Sequence, residues 1–266
     1  GAGLGAGAAL RAGEADVAFC AVRPPGHHAT PTTSMGFCLV NNVAVTAAAL
    51  ADSGERVAIV DIDAHHGDGV QEAFFDDGRV LTISIHESGQ YLFPGTGFVP
   101  ESGVGSGEGY SVNLPLYPYT GDEIYLSAFH EIVPPLVKAF APDVLVTQLG
   151  IDTYHSDPLT HLQITTRGYV EAVKEISRWG IPWVALGGGG YDLSAVARSW
   201  ALAYGVMLEV EWPDDLPASL VEQVGGGTLR DTITPNVPDD MRLEAQKYAE
   251  DSVERIKERV FPTHSL

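Results

Sequence analysis

The sequence predicts an α/β domain in which helices cover both faces of a central, mainly parallel sheet. Three observations point there. Short apolar runs rich in β-branched residues recur along the chain, helical patterns separate them, and the polar motifs fall where the apolar runs end.

In chain order, the opening Gly1–Gly7 is Ala/Gly-rich. Gly1, Gly3 and Ala6 fit the loose G-x-G-x-x-A spacing of dinucleotide loops, but no strand precedes them. A helix packed closely on a neighbour is the expectation instead. Buried strands are predicted at Val17–Val22, Val57–Ile62, Val80–Ile85, Val144–Leu149 and Trp183–Leu186, with a weaker sixth at Ser111–Leu116. None of the five main runs contains glycine. Helices are predicted at Asn41–Asp52, Asp122–Phe140, Thr166–Trp179, Leu193–Leu208 and Met241–Arg259. The Gly/Pro-rich stretch Pro94–Gly109 reads as an ordered loop or a hairpin lid. Trp212, Pro213 and Pro217 interrupt the helices near Glu211–Pro217. One domain over 1–266 is expected, with 211–266 a C-terminal extension of it.

Composition excludes several classes. A net charge of −20 over 266 residues argues against a nucleic-acid face, which needs clustered Lys and Arg. It favours cationic partners or a well-solvated surface. No apolar run is long enough to span a membrane. Cys20 and Cys38 form no CxxC motif, so two reduced thiols in a cytoplasmic protein are expected. The chain opens on Gly rather than Met and reads as beginning inside a longer protein.

The chemistry-bearing residues collect at the strand ends. Arg23-Pro24-Pro25-Gly26-His27-His28 follows the first strand, and Asp61-Ile62-Asp63-Ala64-His65-His66-Gly67-Asp68-Gly69 ends the second. Ser84-Ile85-His86-Glu87, Gly150-Ile151-Asp152 and Gly187-Gly188-Gly189-Gly190-Tyr191 end three more. A parallel sheet brings all of these to one edge, where such folds bind ligands.

Strand alternation would turn Asp61, Asp63 and His65 the same way. Converging buried carboxylates repel unless a cation joins them, and carboxylate plus imidazole is a donor set that zinc accepts. Asp152, from another strand end, offers a third ligand. The alternative is that Asp63 caps the next helix and His65 is a satisfied buried histidine. His27 and His28 suit proton handling, with Asp61 and Asp68 as orienting acceptors; a second metal site or a structural pair are the alternatives. Tyr191, after four glycines, is placed to donate to a developing oxyanion. The competing phosphate loop lacks the Lys-Ser/Thr ending. Phe37 and Phe93 are candidates for the walls of a narrow apolar tube, though lone aromatics are more often core.

The motifs RPPGHH, GFC, DIDAHHGDG, SIHE to FPGTG, QLGID with nearby Asp157-Pro158, and GGGGY, in this order from about Val17 to Val206, closely resemble the histone deacetylase superfamily. Within it the chain is most similar to prokaryotic acetoin-utilisation proteins. The resemblance implies an arginase-like three-layer α/β/α fold and a deacetylase acting on acetyl-lysine in proteins or on an acetylpolyamine. By position it implies Asp63, His65 and Asp152 as ligands of Zn2+, with Fe2+ also accepted by such donors. It implies His28 as general base and later acid with Asp68 behind it, His27 as electrostatic partner oriented by Asp61, and Tyr191 polarising the carbonyl. Phe37 and Phe93 match the channel walls, and Gly36 the carbonyl that receives the substrate amide. Main-chain oxygens of Asp61, Asp63 and His65 with the Ser84 hydroxyl match one K+ or Na+ site, while Phe74, Val80 and Tyr110 fall at another. Family members carry further strands ahead of the equivalent of Val17, so a truncated domain with its first strand at a sheet edge is expected. Homo-oligomerisation stays open, as does a catalytically weak metal-binding module. A binuclear manganese ureohydrolase would need carboxylates that are not found.

Overall fold

The computed structural model describes residues 1–224 and 227–266. Its six strands are β1 (Val17–Cys20), β2 (Val57–Asp61), β3 (Val80–Glu87), β4 (Ser111–Leu116), β5 (Val144–Leu149) and β6 (Trp183–Gly187). They form one sheet in the order β1-β6-β5-β2-β3-β4, and every pairing is parallel.

The unbroken apolar runs divide between two faces with period two. Val57, Ile59, Val144, Val146, Val184 and Leu186 pack on one side, and Ala58, Val60, Leu81, Ile83, Leu145 and Ala185 on the other. The first side is covered by α1 (Ala2–Arg11), α2 (Asn42–Asp52) and α3 (Asp68–Phe74). The second is covered by α4 (Asp122–Phe140), α5 (Thr166–Arg178), α6 (Leu193–Met207) and α8 (Asp239–Arg259), with the short α7 (Ala218–Val224) beside α6. This is the three-layer α/β/α arrangement of an arginase-like fold.

The opening Ala/Gly stretch is helical, and small residues let it lie close on α2. A side chain at Gly3 would overlap Thr46, and one at Gly7 would press on Leu50. The Asn41 side chain caps α2 by accepting from Ala44 N at 2.9 Å. At the far edge of the sheet, α8 packs on β4, where Ser252 Oγ donates to Pro115 O at 2.9 Å. At the near edge, β1 pairs with β6 alone among the described residues. Pro94–Gly109 is a loop carrying a single 3-10 turn at Gly105–Gly107. No helix among the described residues is long and apolar enough to cross a membrane.

Candidate active site

The carboxyl ends of β2, β5 and β6 are neighbours in the sheet, so the motifs that end them meet. One ligand atom from each of Asp63, His65 and Asp152 can be chosen so that all lie within 4.8 Å of one another, and all three residues are buried. His65 Nδ1 lies 3.2 Å from Asp63 Oδ1 and 3.0 Å from Asp152 Oδ2.

Strand alternation is not what brings them together. β2 ends at Asp61, and the chain then bends through two side-chain turns. Asp63 N donates to Asp61 Oδ1 at 3.1 Å, and His65 N donates to Asp63 Oδ1 at 3.0 Å. Across the sheet, Ala64 N donates to Asp152 Oδ1 at 2.7 Å, which leaves Oδ2 toward His65. The turn therefore fixes both aspartates through backbone donors.

Each tandem histidine is held by its own carboxylate. His27 Nδ1 lies 2.7 Å from Asp61 Oδ2, and His28 Nδ1 lies 2.7 Å from Asp68 Oδ1. A carboxylate only accepts, so each ring presents Nδ1–H to its aspartate and turns Nε2 toward the site. The two rings then diverge in charge. Burial disfavours a charged His27, but Asp61 and Asp63 outweigh it and raise its pKa to about 9. Burial, then the charge of His27, pushes His28 down to about 4 despite Asp68. At neutral pH one ring is a cation and the other a free base. Among the three candidate donors, burial followed by Asp63 raises Asp152, while burial opposes but Asp152 and Asp63 raise His65. Two buried carboxylates converging on one point favour a positive charge between them.

Tyr191 follows the glycine run that ends β6. Its backbone N–H donates to Asp157 Oδ2 at 2.7 Å, so Asp157 fixes the loop that carries it. Burial, then Asp63 and Asp152, raises its phenol well above the ordinary value, which keeps it a neutral donor. The Phe37 ring lies 5.6 Å from that of Tyr191, and the Phe93 ring 5.1 Å from that of His28. Both phenylalanines are exposed, and they flank the buried chemistry from separate loops. Gly36 O accepts from Cys38 Sγ at 3.3 Å. Burial raises Cys38 to about 12, so it is a neutral thiol.

Ser84 lies on β3 opposite Asp61, and its Oγ is 2.9 Å from His86 Nδ1. Phe74 closes α3, Val80 opens β3 and Tyr110 precedes β4, so all three surround the amino end of β3. Gln148 opens the QLGID motif but has no role assigned from the sequence. It is fully buried, and its amide spans Asp63 and Gly150 N at 2.6 Å each. Its sequence signal is a long polar side chain beside Thr147 in a strand run that is otherwise apolar, and an amide does not titrate.

A model of the histone deacetylase domain matches residues 1–207. The chain belongs to the histone deacetylase family. A probable deacetylase of Archaeoglobus fulgidus is 48% identical over 178 residues, covering 64% of this chain and 49% of that protein. Histone deacetylase 1 of Homo sapiens is 35% identical over 235 residues, covering 88% and 47%. Acetoin utilization protein AcuC of Staphylococcus aureus is 43% identical over 182 residues, covering 66% and 47%. The chain spans about half the length of the curated relatives it matches. In this histone deacetylase family member the matched region takes in all the motif-bearing strand ends described above.

Proposed function

We propose that the chain is a zinc-dependent deacetylase that hydrolyses the acetyl amide of acetyl-lysine in proteins and releases acetate. The carrying observation is the pair of oppositely biased His–Asp couples beside three converging buried donors. The names of the human and archaeal relatives, a histone deacetylase and a probable deacetylase, support the deacetylase part of this reading.

Asp63, His65 and Asp152 would hold the ion. Two oxygens and one nitrogen suit Zn2+, and Fe2+ accepts the same set. The ion, when bound, supplies Lewis acidity to the acetyl carbonyl and makes a water more acidic. His28, neutral and with Nε2 free, takes the proton of the attacking water and later gives it to the departing lysine amine. His27, held as a cation by Asp61, offsets the negative charge that develops. Tyr191 donates its phenol proton in a hydrogen bond to the carbonyl oxygen as it becomes an oxyanion. Phe37 and Phe93 enclose the lysine methylenes, and Gly36 O accepts the substrate amide N–H.

In the same reading, main-chain oxygens of Asp61, Asp63 and His65 with the Ser84 hydroxyl take K+ or Na+, and Phe74, Val80 and Tyr110 frame a second such site. Residues 211–266 belong to the same domain, supported by the packing of α8 on β4 and α4. The free thiols of Cys20 and Cys38 suit a cytoplasmic protein.

The test is turnover of a fluorogenic acetyl-lysine peptide by the zinc-loaded chain. Asp152→Ala should abolish it, and Tyr191→Phe should lower kcat by about 10²–10³. Unchanged turnover in either variant sinks the assignment. Activity on acetylspermidine with none on the peptide moves the substrate to acetylated polyamines.

A further inference from the structure

Behind the metal-site turn lies a second buried polar cluster that the reaction does not use. The backbone that presents His65 to Asp152 also carries His66, which turns away from the site. His66 and His86 are almost fully buried, with ring centroids 4.9 Å apart. Around them stand Gln71 on α3, Ser111 and Asn113 on β4, and Thr96, Gly97 and Glu101 of the loop that begins at Phe93.

The direction of the bonds from Glu101 to His66 follows from one charge. The Glu101 carboxylate only accepts. It takes Gly97 N at 3.0 Å, Phe98 N at 3.0 Å and Gln71 Nε2 at 2.7 Å. Gln71 must therefore turn its NH2 toward Glu101 and its Oε1 toward the sheet. There Oε1 receives Asn113 Nδ2 at 2.6 Å, Ser111 Oγ at 3.1 Å and His66 Nε2 at 3.2 Å. His66 Nδ1 is then an acceptor, and Thr96 Oγ1 donates to it at 2.8 Å. Independently, His86 Nε2 donates to the Gly97 carbonyl at 2.8 Å, so its Nδ1 accepts from Ser84 Oγ at 2.9 Å. Both rings are neutral in this scheme. For His86 burial, reinforced by His66, agrees by pushing the ring down to about 3.

Every anchor on the loop side falls between Thr96 and Glu101, immediately after Phe93, Pro94 and Gly95. We propose that the Glu101–Gln71 pair, acting through His66 and His86, positions the Phe93 wall and so sets the width of the acyl-lysine channel. These are positioning residues: none touches the reacting atoms, and their effect is on substrate fit. The proposal rests on the deacetylase reading for its kinetic arm but not for its structural one.

The donor–acceptor matching supplies the test. In Glu101→Gln one acceptor becomes an NH2, which opposes either the Gln71 NH2 or the Phe98 N–H, and Gln71 cannot flip without turning donors onto Asn113 and His66. The reciprocal pair Glu101→Gln/Gln71→Glu restores an acceptor at every donor. Two readouts are taken on each zinc-loaded protein: KM and kcat on acetyl- and butyryl-lysine peptides, and hydrogen exchange of the Gly97 and Phe98 amides. The single variant should raise KM for the acetyl peptide about tenfold with kcat within about twofold, and lose amide protection. The double variant should recover both. An unchanged KM in the single variant, or a double variant no better than the single, overturns the proposal. If the single variant does not fold, the double variant decides alone, with a wild-type KM upholding it and a raised KM overturning it. If the wild-type chain hydrolyses neither peptide, the deacetylase reading fails, and amide protection lost and then recovered still decides the positioning role.

Discussion

Gln148 donates from Nε2 to Asp63 Oδ2 at 2.6 Å, so an amide from the neighbouring strand fixes the second oxygen of a candidate metal ligand. Gly189 N donates to the same oxygen at 2.8 Å. Asp63 therefore cannot swing, and its charge is already oriented before any ion arrives.

Removing that amide should weaken the metal rather than the fold. Gln148→Leu is expected to lower zinc affinity about 10–100-fold, as loss of an outer partner of a ligand does. Competition against a chelating dye measures it. Wild-type affinity in this variant would show that Asp63 needs no such support.

Gly188 is the neighbour that makes room for Gln148, because a Cβ there would overlap the amide. Gly188→Ala should reproduce the loss of zinc affinity. The effects of Gly188→Ala and Gln148→Leu should also fail to add, since both act on one contact. Additive losses in the double variant would separate the two residues.

Asp231 ties the C-terminal segment to the strand-end loop after Asp152. Arg198 Nη1 and Tyr154 Oη both donate to Asp231 Oδ1, at 2.7 and 2.8 Å, and Thr166 N donates to Oδ2 at 2.7 Å. Burial works against the charged carboxylate, but Thr166 N and Arg198 overcome it and hold its pKa below the ordinary value. A depressed acid stabilises the fold fully above its unfolded pKa of about 3.9, and the contribution is lost as pH falls through the lower folded value. Asp231→Asn should cost about 3 kcal/mol at pH 7, and the gap from wild type should close in acid. Urea unfolding at pH 7 and pH 3 reads this directly; a pH-independent gap would refute it.

The contact of α1 with α2 depends on the absence of a side chain at Gly3, beside Thr46. Gly3→Val should destabilise the chain by about 1–3 kcal/mol through overpacking, lowering Tm by several degrees. Zinc affinity should stay unchanged, because α1 packs against the face of the sheet and not its carboxyl edge. A wild-type Tm would mean that α1 can shift at no cost.

Most elements were legible because a parallel sheet buried on both faces writes its strands as continuous apolar runs. Val144–Leu149 and Asp122–Phe140 coincide with their predicted bounds. The first strand stops earlier, at Cys20, because Val22 N turns back to Cys20 O at 2.7 Å. The helix Asp68–Phe74 was not foreseen, since seven residues with Gly69 among them give too little periodicity to read. The convergence of Asp63, His65 and Asp152 was legible from motif position, but its cause was not. Side-chain turns at Asp61 and Asp63 do what strand alternation was expected to do. Gln148, His66 and His86 lie inside the quoted motifs but carry no assigned role, and Glu101 lies outside them, because their task is to satisfy donors and acceptors on other elements.

The strand order has a consequence for how the site comes into being. His65 and Asp152 are 87 residues apart in sequence, and they meet only because β5 inserts beside β2. No early local segment of the chain carries all three donors, so ion capture must wait until these long-range pairings have closed. Ion uptake during refolding should therefore lag helix formation and coincide with sheet completion. Once bound, the ion holds the centre of the sheet shut by mass action, so thermal resistance should climb with the free metal concentration.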